Sequence, residues 1–216
     1  MTKINPIIIN GKKILLTHVT RRNLGRIIKW SQNTELRQLS GESKELSYFD
    51  AVTFLGSMSP DSRRFWYLII DLASGKPIGD CALIGSLQPM KYTDLLLRIW
   101  ERKYWGRGHS TEVMRLLLDL AFDKLDLSRV RVEIIGFNLR AITFYKRFGF
   151  KRYSKKSRKY TIDGKPYDFV RMSLSRRIYY DKITRRRNWR NRLGYQPKPY
   201  ASRLGGLPTA QFRPHP

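Results

Sequence analysis

Apolar and polar positions change period several times along the chain, and each change marks an element. Lys12–Val19, "KKILLTHV", is apolar enough for a strand. In "TRRNLGRIIKWSQ", Leu24, Ile27, Ile28 and Trp30 recur at helical spacing behind a capping Thr20. "SYFDAVTFLGSM" (Ser47–Met58) reads as a second short helix, stopped by Pro60. "RRFWYLIIDLASGKPIGDCALIGSL" predicts a strand, a turn at "ASGKP" and another strand, and "YTDLLLRIW" (Tyr92–Trp100) a fourth. Two glycines then lead into a long helix, "YWGRGHSTEVMRLLLDLAF", with Met114, Leu117, Leu118, Ala121 and Leu125 on one stripe. "RVRVEII" (Arg129–Ile135) alternates strictly, so Val130, Val132 and Ile134 share one face and Arg129, Arg131 and Glu133 the other. Asn138 can cap the helix "LRAITFYKRF", and Gly149 can end it. "RKYTIDGKPYDFVRMSL" predicts a strand pair around Asp163–Gly164. The sum is about seven strands and about four helices, mostly antiparallel, with a strand–helix–strand–helix–strand unit in the second half: an α/β sandwich.

Composition narrows the class. The chain has 216 residues, 41% of them apolar, enough for one domain with a core. No apolar run approaches the roughly 20 residues of a membrane-spanning helix, and "MTKINPIIINGKK" lacks the features of a signal peptide. A soluble, cytoplasmic protein is the expectation. The single cysteine, Cys81, excludes an internal disulfide, and His18, His109 and His215 have no metal-ligand spacing. The net charge of +26 is unevenly spread. Residues 176–216 hold eleven Lys/Arg against Asp181, so +10, while the first 175 residues hold 32 basic against 16 acidic, so +16. Five of the ten prolines also lie after residue 196. This shift divides the chain into a lead, 1–11, a domain, 12–175, and a basic arm, 176–216, that starts as a helix through about Arg192 and continues extended or disordered. Such charge suits a polyanion such as RNA, a ribosome, an acidic protein or a phosphorylated metabolite, or serves solubility alone.

A strand, a glycine turn and a helix N-terminus together present free backbone N–H groups to an anion such as pyrophosphate. "GRGHST" is neither the dinucleotide fingerprint, since Thr111 stands at its last glycine, nor a P-loop. With the strand "RVRVEII" and the segment "NLRAITFYKRFGF" behind it, the chain resembles the GNAT superfamily of acetyl-CoA-dependent N-acetyltransferases. The signature Asn-x-x-Ala-x-x-x-Tyr-x-x-x-Gly-Phe is present as Asn138, Ala141, Tyr145, Gly149 and Phe150. "IIKWSQNTELRQLS", "GKPIGDCALIG", "YWGRGHSTEVMRLLLDLAF" and "IDGKPYDFVRMSL" are similar to the Rim branch, the ribosomal-protein N-terminal acetyltransferases. The likeness covers about residues 12–175. Trp105 and Ser110 depart from the loop pattern at its Gln/Arg and final Gly/Ala positions.

The resemblance implies a GNAT-type mixed, mostly antiparallel twisted sheet, and a set of roles. The backbone from Gly106 through Arg107, Gly108, His109 and Ser110 to Thr111 holds the pyrophosphate of acetyl-CoA. Arg107 adds charge, and the strand ending at Ile99 and Trp100 pairs with the pantetheine arm. Tyr145 protonates the leaving thiolate, the competing role being a core tyrosine. Asn138 caps its helix and orders the site. Glu133 is the base, the competing role being a surface glutamate paired to Arg131 or Arg129; Asp94, Glu101 or a water are alternatives, as is no dedicated base, and the oxyanion donor is a backbone N–H near Ile99. The acceptor enters between "TELRQLS" and "YTIDGKPYDF", where Tyr160, Tyr167 and Asp168 can frame an α-amine. Six basic residues in "KRYSKKSRKY" (Lys151–Tyr160) disfavour a polyamine. Three functions are compatible with this: acetylation of a protein N-terminal α-amine, with the arm on RNA or a ribosome; acetylation of a small amine such as an aminosugar or antibiotic; and non-catalytic RNA or ribosome binding on the same fold. The interleaved Arg, Trp189 and Tyr195 suit phosphate pairing and base stacking.

Overall fold

One sheet carries the molecule, and it contains a single parallel pairing. The computed structural model describes residues 8–58, 63–85, 91–154, 159–162 and 164–182, so the expectations for 155–158, Asp163 and 183–216 lie outside the described residues. The strands are β1 (Ile9–Asn10), β2 (Ile14–His18), β3 (Arg64–Asp71), β4 (Pro77–Gly85), β5 (Tyr92–Ile99), β6 (Arg129–Ile135), β7 (Lys151–Arg152), β8 (Lys159–Ile162) and β9 (Lys165–Ser175). Their order is β1-β2-β3-β4-β5-β6-β9-β7, with β8 hairpinned onto β9. The described sheet thus has nine strands rather than about seven. The additions, β1 and β7, are two residues long and too short to leave a hydrophobic pattern. All neighbours are antiparallel except β5 and β6.

Helices cover both faces. α1 (Arg21–Ser31) and α3 (Tyr48–Gly56) pack Leu24, Ile27 and Ala51 onto Trp66, Leu68 and Ala82. On the other face, α4 (His109–Asp119), extended by a π-helical turn over Leu120–Lys124, and α5 (Leu139–Phe148) pack on the larger core. Between α1 and α3 lies α2 (Thr34–Leu39), a short helix not among the four expected. Asn33 starts it, its side chain accepting from the Leu36 N–H at 3.0 Å. Gly41, with φ +77°, turns the chain away from α2, and a Cβ there would press on the Phe169 ring. At the far end residues 176–182 are helical. Their Tyr179 is buried against Phe122, with its hydroxyl on Asp119 at 2.8 Å. Tyr180 and Arg176 bond Asp123 and Asp126, so the first turns of the basic C-terminal segment are fastened to α4 and the turn after it. No helix among the described residues is long and apolar enough to cross a membrane.

The centre of the sheet is tied by a fully buried carboxylate. Asp80 on β4 accepts from Trp66 Nε1 (2.8 Å), Trp100 Nε1 (2.7 Å), Arg98 Nε (3.1 Å) and an Arg98 terminal nitrogen (2.6 Å). Burial alone would lower the Arg98 pKa, but the Asp80 carboxylate outweighs it and raises it. Next to it, Gly79 must be glycine, since a Cβ would collide with the Arg98 carbonyl oxygen. Removing the carboxylate leaves two indole N–H groups without an acceptor and a buried guanidinium with Glu42 alone to compensate it. Asp80→Ala is therefore expected to lose about 3–5 kcal/mol of stability, read as a lower urea midpoint. An unchanged midpoint would remove this node from the account of the fold.

Candidate active site

The parallel pair β5–β6 is joined only at its start. Tyr92, Thr93 and Asp94 pair with Arg129, Val130 and Arg131, and the strands then part. Beyond that point β5 follows β4 and β6 follows β9 along their lengths. Which β5 groups face the gap follows from the ladder. Trp100 N–H bonds the Ile78 carbonyl, so that pair is hydrogen-bonded and the next, Gly79 with Ile99, is not. Ile99 and Leu97 therefore turn their N–H and C=O groups away from β4 and into the wedge, as does the C=O of Leu95, whose N–H closes the last bond to β6. The Ile99 carbonyl is met there by Trp105 Nε1 at 2.8 Å.

A cavity of about 730 Å³ fills this wedge. Its walls include Leu95–Trp100, Glu133–Ile135, Leu36 and Leu39 of α2, and Asn138, Ala141 and Tyr145. Trp105, Gly106, Gly108, Ser110 and Thr111 close one end. Gly106 and Gly108 have φ of +75° and +89°, a region that favours glycine. A Cβ on Gly106 would meet nothing within 4 Å, and one on Gly108 only Lys13 Nζ at 3.9 Å, so both positions border open space. Gly108 caps α4, whose first N–H groups, on His109, Ser110 and Thr111, have no partner within the helix. The end of the cavity is a set of convergent donors with positive dipole behind them.

Tyr145 lies on α5 with its ring between Phe144 and Phe150. Its hydroxyl accepts or donates no hydrogen bond among the described residues, and burial pushes its pKa up, so it stays a neutral donor. Asn138 does two jobs: Oδ1 caps α5 through the Ala141 N–H at 3.0 Å, and Nδ2 donates to the Leu39 carbonyl at 2.8 Å, tying α2 to α5 across the cavity. Glu133 reaches the cavity wall, with Oε1 held by Arg171 Nε at 2.7 Å rather than by Arg129 or Arg131. Asp94 takes both Nε and a terminal nitrogen of Arg131, at 2.9 and 2.7 Å. Glu101 accepts from Trp30 Nε1 at 3.2 Å. Cys81 is fully buried, and burial pushes its thiol well up, which suits an inert core position.

The side chains of His109, Arg107 and Trp100 are placed as follows. His109 is buried with its ring away from the loop: Nε2 lies 3.1 Å from Asp71 Oδ1, and Tyr104 meets the ring edge-on. Its Nδ1 is buried without a hydrogen-bond partner among the described residues, and its backbone N–H has no partner within the helix. Arg107 is exposed and does not line the cavity. Trp100 borders the cavity, but its indole N–H is committed to Asp80 and its ring stacks on Trp30. A second cation beside the loop is Lys13, whose Nζ donates to the Arg107 carbonyl at 3.0 Å. The backbone of Lys12 and Lys13 is held by Glu112, in the first turn of α4. No local pattern could have announced this, because the partners are about a hundred residues apart. Arg140, over the Trp105 ring at 4.6 Å, and Arg147 add positive charge along α5.

Comparison with known proteins gives the family and the fold. The family model for the acetyltransferase (GNAT) domain matches residues 13–151. The N-acetyltransferase 9-like protein of Caenorhabditis elegans is 24% identical over 169 residues, 71% of this chain and 83% of that protein. The N-acetyltransferase 9-like protein of Caenorhabditis briggsae is 27% identical over 139 residues, 60% and 70% of the two chains. Among solved structures, the spermidine N-acetyltransferase of Vibrio cholerae, in complex with CoA and spermine, superposes with a TM-score of 0.69 at 19% identity. That match covers 79% of this chain and 99% of the other, and shows the fold.

The His109–Asp71 contact makes a prediction that does not depend on catalysis. Hydrogen bonding from Ser74 holds the Asp71 carboxyl below its usual range; burial opposes this, and His109 adds to it. A depressed folded pKa contributes stability that is present above the unfolded value near 4 and is lost as pH falls through the folded value. Asp71→Asn is expected to cost about 1 kcal/mol at pH 7, and the gap to the wild type should narrow as urea midpoints are taken down to pH 3. A gap constant with pH would contradict it.

Proposed function

The chain belongs to the GNAT acetyltransferase family, and we propose that it is a Rim-type enzyme that moves acetyl from acetyl-CoA to the α-amine of a protein N-terminus. The carrying observation is the wedge: an unpaired strand edge, a glycine loop at a helix N-terminus, and a tyrosine hydroxyl with no hydrogen bond among the described residues border one cavity. These features fit the group they would hold. Extended amides need a strand edge, a pyrophosphate needs convergent donors without a Cβ in the way, and a departing thiolate needs a proton donor.

Acetyl-CoA supplies an activated carbonyl on a thiol leaving group. Backbone N–H groups from Gly106 to Thr111 bind its phosphates, with the Lys13 ammonium beside them. The C=O of Leu95 and the N–H and C=O of Leu97 hold the pantetheine arm, and the N–H of Ile99 is the oxyanion donor. Tyr145, kept protonated by burial, donates its proton to the leaving sulfur. Glu133, with Oε1 fixed by Arg171, orients the amine and takes its proton directly or through a water. Asn138 keeps α2 and α5 at a set distance. The work takes place in the cytoplasm, and the basic residues of 176–216 hold the enzyme to RNA or a ribosome. In support, that segment carries +10 and its first turns are fixed to α4, away from the wedge.

Three variants test the assignment. Gly108→Glu puts a side chain and a negative charge into the cradle and is expected to abolish calorimetric acetyl-CoA binding that the wild type shows. Tyr145→Phe should lower kcat by about a hundredfold while the acetyl-CoA Kd stays within about threefold, the size of a neutral contact change; an unchanged kcat would return Tyr145 to the core. Lys13→Gln should weaken CoA by about tenfold, as for one charge-assisted contact, and leave S-acetylpantetheine, which lacks the pyrophosphate, unaffected.

A further inference from the structure

Alternation on β6 sends Arg131 and Glu133 to the face opposite α4 and α5, together with Asp94 on β5. On that face α1 and α3 cover β3, β4 and Leu96, and their apolar cluster includes no residue of β6 or β9. What lies beyond is a half-exposed row of charge: Asp94, Arg131, Glu133 and Arg171, with side-chain exposures of 49%, 25%, 36% and 34%. Glu133 stands opposite Arg171, and Arg131 opposite Ser173, so the two arginines are diagonal neighbours on paired strands. Arg131 also lies over the Tyr92 ring at 3.7 Å, which fixes its plane.

The carboxylates on this side are engaged. Glu133 pairs with Arg171 at 2.7 Å, Asp94 with Arg131 at 2.7 Å, and Glu42 with Arg98 at 3.3 Å. A second ammonium on the acceptor would have to displace one of these arginines and leave it uncompensated. The arginines have capacity in the other direction. Arg171 spends only Nε on Glu133, and Arg131 spends Nε and one terminal nitrogen on Asp94. A guanidinium has five N–H donors, so each can take a further carboxylate. Because Glu133 lines the cavity and Arg171 touches Glu133, the open donors sit about one side chain beyond the reacting centre. An extended peptide advances about 3.3 Å per residue, which puts its second or third side chain there.

Resting on the N-terminal acetyltransferase reading above, we propose that the acceptor carries a carboxylate beside its reacting amine, read by Arg171 with Arg131. The substrate class is an N-terminus with Asp or Glu at the second or third position, and polyamines are excluded.

The test is steady-state kinetics of the full chain with acetyl-CoA and peptides identical except for Glu, Gln or Lys at position two, with spermidine as a fourth acceptor. The wild type is expected to prefer Glu over Lys by about tenfold or more in kcat/KM, the size of a half-exposed charge contact, and to turn spermidine over least. Arg171→Gln should collapse the preference, Arg171→Glu should invert it, and Arg171→Lys should keep most of it. A merely structural Arg171 would change all peptides alike and leave their ratio intact, which would overturn the proposal. So would equal rates on the Glu and Lys peptides, or spermidine ahead of both. If the protein binds acetyl-CoA but acetylates no peptide, the N-terminal reading itself falls, and this proposal with it.

Discussion

A carboxylate held wholly out of water sets the positions of most of what surrounds it. Asp80 tolerates its burial because four donors from Trp66, Arg98 and Trp100 converge on it. The consequence is geometric. β3, β4 and β5 are bolted together at one level, and Trp100 carries the constraint outward by stacking on Trp30 of α1. Arg98 carries it further through Glu42 to the loop after α2. The same strand that is fixed to β4 on one side lines the cavity on the other. A shift of β5 would move its open N–H groups, the Trp105 loop and the helix entrance together.

The wedge follows from a competition between partners. Each central strand has one committed neighbour, β4 for β5 and β9 for β6, and only three residues of each are shared between them. Backbone polar groups left over in the gap must be met by water or by a ligand of extended shape. Side chains then divide the space: Tyr145 and Asn138 from α5 on one wall, Glu133 and its arginine on the other. Fold and proposed chemistry share one feature here, since the place where pairing stops is the place assigned above to the thioester and the amine.

Much of this was legible along the chain because it is local. Strict alternation placed Glu133 outward on its strand, and the spacing from Asn138 to Gly149 marked a helix that the structure caps at both of those residues. The two glycines before α4 adopt the left-handed conformation that their residue type permits. What could not be read was non-local. His109 points at Asp71, 38 residues away, and sequence adjacency to the loop says nothing of that. Lys13 reaches the loop through a hairpin that Glu112 anchors. The partner of Glu133 is Arg171 rather than a neighbour on its own strand, because cross-strand pairs are set by register. α2 escaped because six residues hold too few turns to show a period.

The parted strands also have a bearing on solubility. Unpaired strand edges usually lie at the rim of a sheet, where a foreign strand can add to them and start aggregation. In this molecule the longest unpaired stretch of β5 is internal. Its open groups face into a gap of about 730 Å³ walled by β6 and bordered by residues of α2 and α5. The protein can therefore keep a strand edge ready for use without offering it to its neighbours.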